Sequence, residues 1–368
     1  MERYPQLVFN LTKLRENVKN FNKLANEQGI NIMGVIKGCN ALEKVCKAYY
    51  DGGCTTLGSS RIEQLKILKE AGIGDELVLI RIPMISEIED VIKYADTSLN
   101  SSHEVLVALN DEAKKQGKKH KVVLMIEVGD LREGYWDREE LIGDALMVEN
   151  DMESLHLSGL AMNVGCYGSV VPTPEKIQEF VDAVELVEEA IGRRVDVVSG
   201  GDTTSFARVL DHNMPERINE IRLGGEPMAG YTLKHVFNYD IPWEHSDVCR
   251  MRAEIVELKE KPSYPIGELA VDAFGHKPFY KDRGIRKRAI LAIGRMDYGD
   301  PNDIPYEDYT LEILGASSDH TIVDVEAHEK ELKVGDIIEY PVRYNQILYM
   351  TSSPNVVIKY EDDYNEKQ

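Results

Sequence analysis

The sequence predicts a closed barrel of eight βα units, the TIM-type (β/α)8 architecture, followed by an all-β C-terminal domain. Three observations carry that prediction. From residue 31 to 223, short apolar runs alternate with segments of helical period, eight times over. Runs such as KVVLMIEV at 121–128 are too apolar for a sheet with one wet face, so helices must cover the sheet. After about residue 230 the helical periods stop, and strand-like runs joined by turn-rich loops take over. Eight consecutive units close a ring. An open doubly wound sheet is the alternative, but no GxGxxG follows the first strand to support it. The expected domains are a barrel over 1–240 and a β domain over 241–368, with 241–246 as the linker and the N-terminal strand 6–9 free to pack with the β domain.

In chain order, 6–9 is a short strand, and Leu14, Val18, Phe21 and Leu24 then recur at helical spacing. Strand 31–36 leads into helix 41–50, strand 55–58 into helix 61–70 closed by Gly72, and strand 77–82 is stopped by Pro83. Ser86 opens a helix to Tyr94, with Glu89 placed for a capping box. Strand 97–100 precedes helix 104–115, ended by Gly117, and strand 121–128 precedes helix 137–147. Strand 157–164, the long helix 175–191, strand 195–199, helix 204–210 and strand 218–223 complete the series. Beyond it, 252–258, 288–293, 309–314, 321–325, 336–340 and 356–360 read as strands, and the last residues, EDDYNEKQ, as a loose tail.

Composition narrows the function classes. With 43% hydrophobic and 29% charged residues over 368 positions, this is an ordinary globular chain. A formal net charge of -21 disfavours nucleic acid and anionic membrane surfaces as partners. No apolar run is long enough to span a bilayer, and the first residues lack the pattern of a signal peptide. The five cysteines are scattered, with no CxxC pair and no zinc spacing, which fits free thiols in a cytoplasmic protein. The histidines show no metal-ligand spacing, so no metal is expected.

The segment IMGVIKGCNA, 32–41, organises the rest. An apolar run ends in Lys37 and a turn follows, which places the amine at the carboxyl end of an early strand, where barrel enzymes keep their chemistry. Apolar walls depress an ammonium's pKa and free the amine as a nucleophile or base, with a carbonyl as the usual partner. A surface lysine capping a strand is the bland alternative.

Strand, lysine, eight βα units and then a β domain: this succession resembles the alanine racemase family of fold-type III pyridoxal phosphate enzymes over nearly the whole chain. The family's VKANAYGHG is answered by VIKGCNALE, its KxDTGMxRxG by MIEVGDLREG, its NSAA by SGGDTTSFA and its RPGIxxYG by RLGGEPMAG. In the β domain, GYxDGY is answered by GRMDYGD, the VxMDQ loop by SSDHT, and a late YE segment by Tyr349. The resemblance implies pyridoxal 5'-phosphate held through Lys37, with Arg222 facing the pyridine nitrogen, Arg132 on the family arginine, and Asn163 and Ser199 beside the ring. The phosphate would rest on Gly224 and Gly225, with Thr203 or Thr204 opening a helix beneath it; Tyr349 would add a hydroxyl. It also implies a head-to-tail homodimer in which the partner supplies the second acid–base group. The family's tyrosine position is taken by Arg295, so Tyr298, three residues on, is the expected second base, because a phenol can shuttle a proton. Arg295, Asp297, Ser318 and Asp319 are the expected substrate-binding set.

Departures set the chain apart from a standard alanine racemase. Ala41 replaces the lysine-loop tyrosine, Met125 the modifiable lysine and Asn163 the stacking histidine. With its GLAMN and GGDTT stretches the chain resembles most the ornithine racemase branch, which implies interconversion of L- and D-ornithine, with Asp297, Asp319 or Glu127 meeting the second cation. Alanine, or a broad range including lysine, arginine and serine, is the alternative substrate set. Decarboxylation or aldol cleavage is the alternative reaction, disfavoured by Ser318, Asp319 and Arg222 where decarboxylases of this fold carry a cysteine–aspartate pair and a glutamate. A non-catalytic cofactor-handling protein is disfavoured by the β domain.

Overall fold

The computed structural model describes residues 2–277, 279–304 and 310–362. The chain forms two compact units, Leu11–His245 and a second made of Met1–Asn10 with Ser246–Gln368. The first strand, β1 (Gln6–Asn10), belongs to the second unit. The first unit is a closed parallel barrel of eight strands. These are β2 (Asn31–Val35), β3 (Thr56–Ser59), β4 (Glu76–Leu79), β5 (Thr97–Asn100), β6 (His120–Ile126), β7 (Leu155–Met162), β8 (Val197–Ser199) and β9 (Glu220–Leu223), and β9 returns to pair with β2. The closing register sets Met33 beside Arg222 and Gly34 beside Leu223. Met33, Val78, Leu99, Val123, Met125 and Ala161 fill the interior as one apolar cluster. Inward residues from every second position make this a packed core.

Helices α1 (Leu11–Asn26), α2 (Glu43–Asp51), α3 (Ile62–Ala71), α4 (Ile88–Tyr94), α5 (His103–Lys115), α6 (Arg138–Asn150) and α7 (Pro174–Ile191) alternate with the strands; α8 (Phe206–Leu210) and α9 (Glu226–Ala229) are short. Phe21 of α1 meets Phe206 and Trp243 edge-on, at centroid distances of 5.0 and 4.9 Å. Asn17, fully buried one turn earlier, donates to the carbonyls of Pro227 and His245 and accepts from the His245 amide. That side chain ties α1 to the segment that follows the last barrel strand.

The expected capping box at Ser86 and Glu89 is not what forms. The helix starts at Ile88 without a side-chain cap, and Glu87 instead closes the 3-10 turn Ile85–Glu87 ahead of it, accepting the Met84 amide at 3.0 Å while gripping Arg81 through both oxygens. The Arg81 pairing, six residues back, is invisible in local spacing and holds Glu87 in the turn rather than at the helix start.

In the second unit, β1 pairs antiparallel with β10 (Cys249–Pro262) and parallel with β15 (Val357–Glu361). The sheet continues through β11 (Ile285–Leu291), β13 (Thr321–Asp324) and β12 (Glu312–Ala316), and β14 (Ile337–Pro341) pairs with β10. The unit is not wholly β: α10 (Arg295–Tyr298) and α11 (Tyr344–Ser352) interrupt the strands. Helix α10 is a single turn, too short for a period to stand out in the sequence. The start of the strand expected at Tyr309 and the final tail, 363–368, lie outside the described residues. Among the described residues no helix is long and apolar enough to cross a membrane.

Asn17→Ala should lower the stability of the protein by about 2–4 kcal/mol, since it strands two carbonyls and an amide inside the fold. A shift of the urea midpoint with unchanged slope is the expected readout; an unmoved midpoint would show that water replaces the amide.

Candidate active site

Lys37 stands at the carboxyl end of β2, in a 3-10 turn over Lys37–Cys39. Asn40 and Ala41 follow in the left-handed region, at φ 48 and 52°, and turn the chain into α2. Gln64 of α3 donates to Asn40 Oδ1 at 2.8 Å and holds this costly turn. Lys37 is mostly buried, and burial lowers the proton affinity of its amine. Cys166 and Asp202 act against burial, while Arg132 and Arg222 act with it. Four charged or titratable groups are thus drawn around one amine at the barrel mouth.

Arg222 lies on β9, buried, with its guanidinium donating to Ser199 Oγ at 2.6 Å, the Met162 carbonyl at 2.6 Å and Asn163 Oδ1 at 3.2 Å. Burial pulls its proton affinity down, and Glu220 and Asp202 push it up. An arginine starts from so high a value that it stays charged, so of the two buried cations Lys37 is the one able to give up a proton. Asn163 turns its oxygen to Arg222 and leaves Nδ2 buried with no oxygen or nitrogen acceptor among the described residues. The Cys166 sulfur, a weak acceptor, is what this donor has beside it.

The loop after β8 holds Asp202, Thr203 and Thr204. Asp202 Oδ1 accepts from the Thr204 amide at 2.9 Å and from Thr204 Oγ1 at 2.7 Å. Thr204 is therefore committed to Asp202, which leaves Thr203 as the hydroxyl of this loop open to a ligand. Gly224 follows β9 with a Cβ position only 3.2 Å from Val35 Cβ, so a side chain there would crowd β2. The expected group Lys37, Asn163, Ser199, Thr203, Thr204, Arg222, Gly224 and Gly225 falls at the carboxyl ends of β2, β7, β8 and β9. Arg132 sits on the exposed loop after β6, ion-paired with Glu133. Glu127 is buried and commits both oxygens to the amides of Gly129 and Arg132.

The remaining expected residues belong to the second unit. Tyr298 is fully buried, and its hydroxyl lies 2.6 Å from Thr321 Oγ1. Thr321 donates its own proton to the Ile293 carbonyl at 2.8 Å, so Tyr298 must be the donor of the pair. Burial holds the phenol up at about 12. A phenol expected to exchange protons with a substrate is instead closed inside its own unit with its proton in use. Asp297 is also buried, accepting from Ser353 Oγ at 2.9 Å. Arg295 lies 4.6 Å over the Phe274 ring, Asp319 is exposed and accepts from Ser318 at 2.5 Å, and Tyr349 is half exposed. No cluster of three or more histidine, cysteine or acidic groups placed to hold a metal occurs among the described residues. Cys166 joins the site unannounced by the sequence; its proximity to Asp202, 36 residues away, is a product of the barrel and leaves no local signal.

Residues 9–225 match the family model described as alanine racemase, N-terminal domain. The chain is 40% identical over 348 residues to an ornithine racemase of Acetoanaerobium sticklandii, covering 94% of this chain and 96% of that protein. It is 35% identical over 358 residues to a lysine racemase of Thermotoga maritima, covering 97% and 99%. Its fold matches an alanine racemase from a D-cycloserine-producing Streptomyces lavendulae with a TM-score of 0.75 at 16% identity over 98% of each chain.

Two outcomes are expected from this geometry. Tyr298→Phe should cost about 1 kcal/mol of stability, one buried hydrogen bond, and leave turnover within about twofold; loss of turnover without loss of stability would restore the phenol as a base. Lys37→Met, compared with the native chain in the absence of added cofactor, should be the more stable near neutral pH. The folded amine binds its proton less tightly than the unfolded one, so the native chain pays for a buried ammonium below its depressed folded value. That penalty fades as pH rises toward the ordinary lysine value, and the two melting curves should converge there; parallel curves at all pH values would refute a buried Lys37 ammonium.

Proposed function

The chain belongs to the alanine racemase family and is an amino-acid racemase, and on that premise we propose that it interconverts L- and D-ornithine with pyridoxal 5'-phosphate held through Lys37. The observation that carries the choice of substrate is the 40% identity across 94% of the chain to an ornithine racemase. Lysine, one methylene longer, is the second substrate in order, on the 35% identity to a lysine racemase; alanine comes behind both.

The residues fit the cofactor. The depressed amine of Lys37 suits attachment to an aldehyde. Arg222 offers a permanent cation to a ring nitrogen, and Asn163 Nδ2, with no oxygen or nitrogen acceptor among the described residues, offers a donor to a ring or carboxylate oxygen. Thr203, Gly224 and Gly225 offer a phosphate the hydroxyl and backbone donors of two neighbouring strand ends. When bound, the cofactor would draw electrons from the substrate's α-carbon and make its proton removable. Arg222 keeps its own proton, so a ring nitrogen held against it would stay unprotonated and the electron sink would be modest, which would favour prompt reprotonation over elimination or decarboxylation. Lys37 would take the proton on one face. Arg132 and the Asn163 amide would orient the carboxylate. Arg295, Ser318 and Asp319 are proposed for the substrate's outer end and Tyr349 for the phosphate, in a head-to-tail homodimer. A cytoplasmic site is proposed on the five free cysteines, four of them buried.

The test is a chiral assay of the purified protein with cofactor against L-ornithine, L-lysine and L-alanine. Ornithine should give the highest kcat/KM, and Lys37→Ala should abolish both the visible absorption of the bound cofactor and turnover. A higher kcat/KM for lysine or alanine would replace the substrate, and an absorption band that survives Lys37→Ala would overturn the attachment.

A further inference from the structure

Racemisation by proton transfer needs an acid–base group on each face of the α-carbon, and the identity of the second group rests on the racemase reading. Tyr298 is enclosed with its proton engaged. Arg295, on the position where the resemblance calls for a tyrosine, carries a guanidinium with donors and no acceptor. We propose that Cys166, held by Asp202, is the second acid–base group, so that both protons are handled within one barrel.

Position supports this first. Lys37 lies two residues past the end of β2, and Cys166 four residues past the end of β7. In the closed strand order β8 and β9 intervene between β7 and β2, which sets the two groups nearly across the mouth from each other. Arg222, an expected neighbour of the ring, comes from β9 in the arc between them, and Asn163 from the β7 end that also carries Cys166. Lys37 and Cys166 therefore approach that region from different sides.

The loop that carries Cys166 is built to hold it. Asp130, almost fully buried, accepts the amides of Gly165 and Gly168 on one oxygen, at 3.0 Å each, and of Tyr167 on the other, at 3.1 Å. These three amides bracket Cys166 on both sides. Gly165 takes φ +87°, and a Cβ there would sit 2.9 Å from Thr204 Oγ1, so the approach of this loop to the next requires glycine. Cys166 Sγ then donates to Asp202 Oδ2 at 2.9 Å, while the other oxygen of Asp202 is fixed by Thr204. Of the five free cysteines it is the exposed one.

The charges balance. Lys37 Nζ takes the α-proton and becomes an ammonium, while the electrons of the broken C–H bond remain on the α-carbon. Sγ–H gives its proton to the opposite face, a new C–H bond forms, and the sulfur is left a thiolate. The net change is inversion at the α-carbon and one proton moved from sulfur to nitrogen, with no oxidant or reductant required. After burial, Cys166 is the strongest influence on the Lys37 amine, so the new ammonium and thiolate stabilise each other. Burial and then Asp202 raise the proton affinity of the sulfur, which returns it to the thiol once the cycle resets; Asn163 and Arg132 act the other way and ease the thiolate.

In deuterated water with cofactor bound, Cys166→Ala should lose racemisation by about 100-fold or more, the usual share of a general acid–base group. It should still exchange the α-hydrogen of one enantiomer, without inversion, through Lys37. A cysteine that merely supports the loop would lower exchange of both enantiomers together, and that result overturns the assignment, as does a variant that racemises within about twofold of the native protein. Alkylation by iodoacetamide, read by peptide mass on the full chain without added cofactor, gives an independent readout. Cys166 should react first, and Lys37→Met should move its pH profile upward, because a neighbouring ammonium no longer favours the thiolate; an unmoved profile overturns the coupling. A native protein that exchanges no α-hydrogen from ornithine, lysine or alanine would overturn the racemase reading and this assignment with it.

Discussion

Two cations at one end of an apolar barrel set the terms for everything else in the first unit. A guanidinium inside a packed core must find acceptors or unfold the core around it. Arg222 finds them on Ser199, at the end of β8, and on Met162 and Asn163, at the end of β7. The alignment of three strands is thereby fixed to the reach of one side chain. With Arg222 satisfied and permanently charged, the field it casts falls on Lys37, whose proton affinity burial has already lowered. One end of the barrel thus holds both a fixed charge and a labile proton, because arginine and lysine respond to burial so differently.

The barrel and Lys37 were legible because both are written in local pattern. Each apolar run followed by a helical period is one βα unit, and the lysine sits where such a run stops. What the pattern could not carry was partnership over distance. Glu87, held by Arg81, closes a 3-10 turn ahead of the helix where a capping box with Glu89 was expected. Thr204 was taken by Asp202, Glu127 by the amides of its own loop, and Asp297 by Ser353, 56 residues on. Tyr298 looked available because nothing near it in sequence announces Thr321. In every case the residue type was right for chemistry and an internal hydrogen bond had already claimed it. Helix α10 left no signal for a different reason: four residues make a single turn, too short for periodicity to register.

The same internal bonds bear on substrate choice. A basic side chain differs from alanine by one terminal cation, and a carboxylate must meet it. Of the three carboxylates expected from the resemblance, Glu127 and Asp297 are buried and engaged, and Asp319, the one proposed for this role, is exposed and bonded to Ser318 alone among the described residues. An ion pair in open water contributes at most about 1 kcal/mol, roughly a fivefold preference. A tenfold or greater preference for ornithine over alanine therefore requires that the pair be shielded from water once the substrate is bound, where the same charges at an effective dielectric of about 20 attract several times more strongly than in bulk. On the proposed assignment of Asp319, substrate choice is a question of what covers that carboxylate more than of which acidic residue is present, and the proposed head-to-tail assembly bears on specificity for that reason.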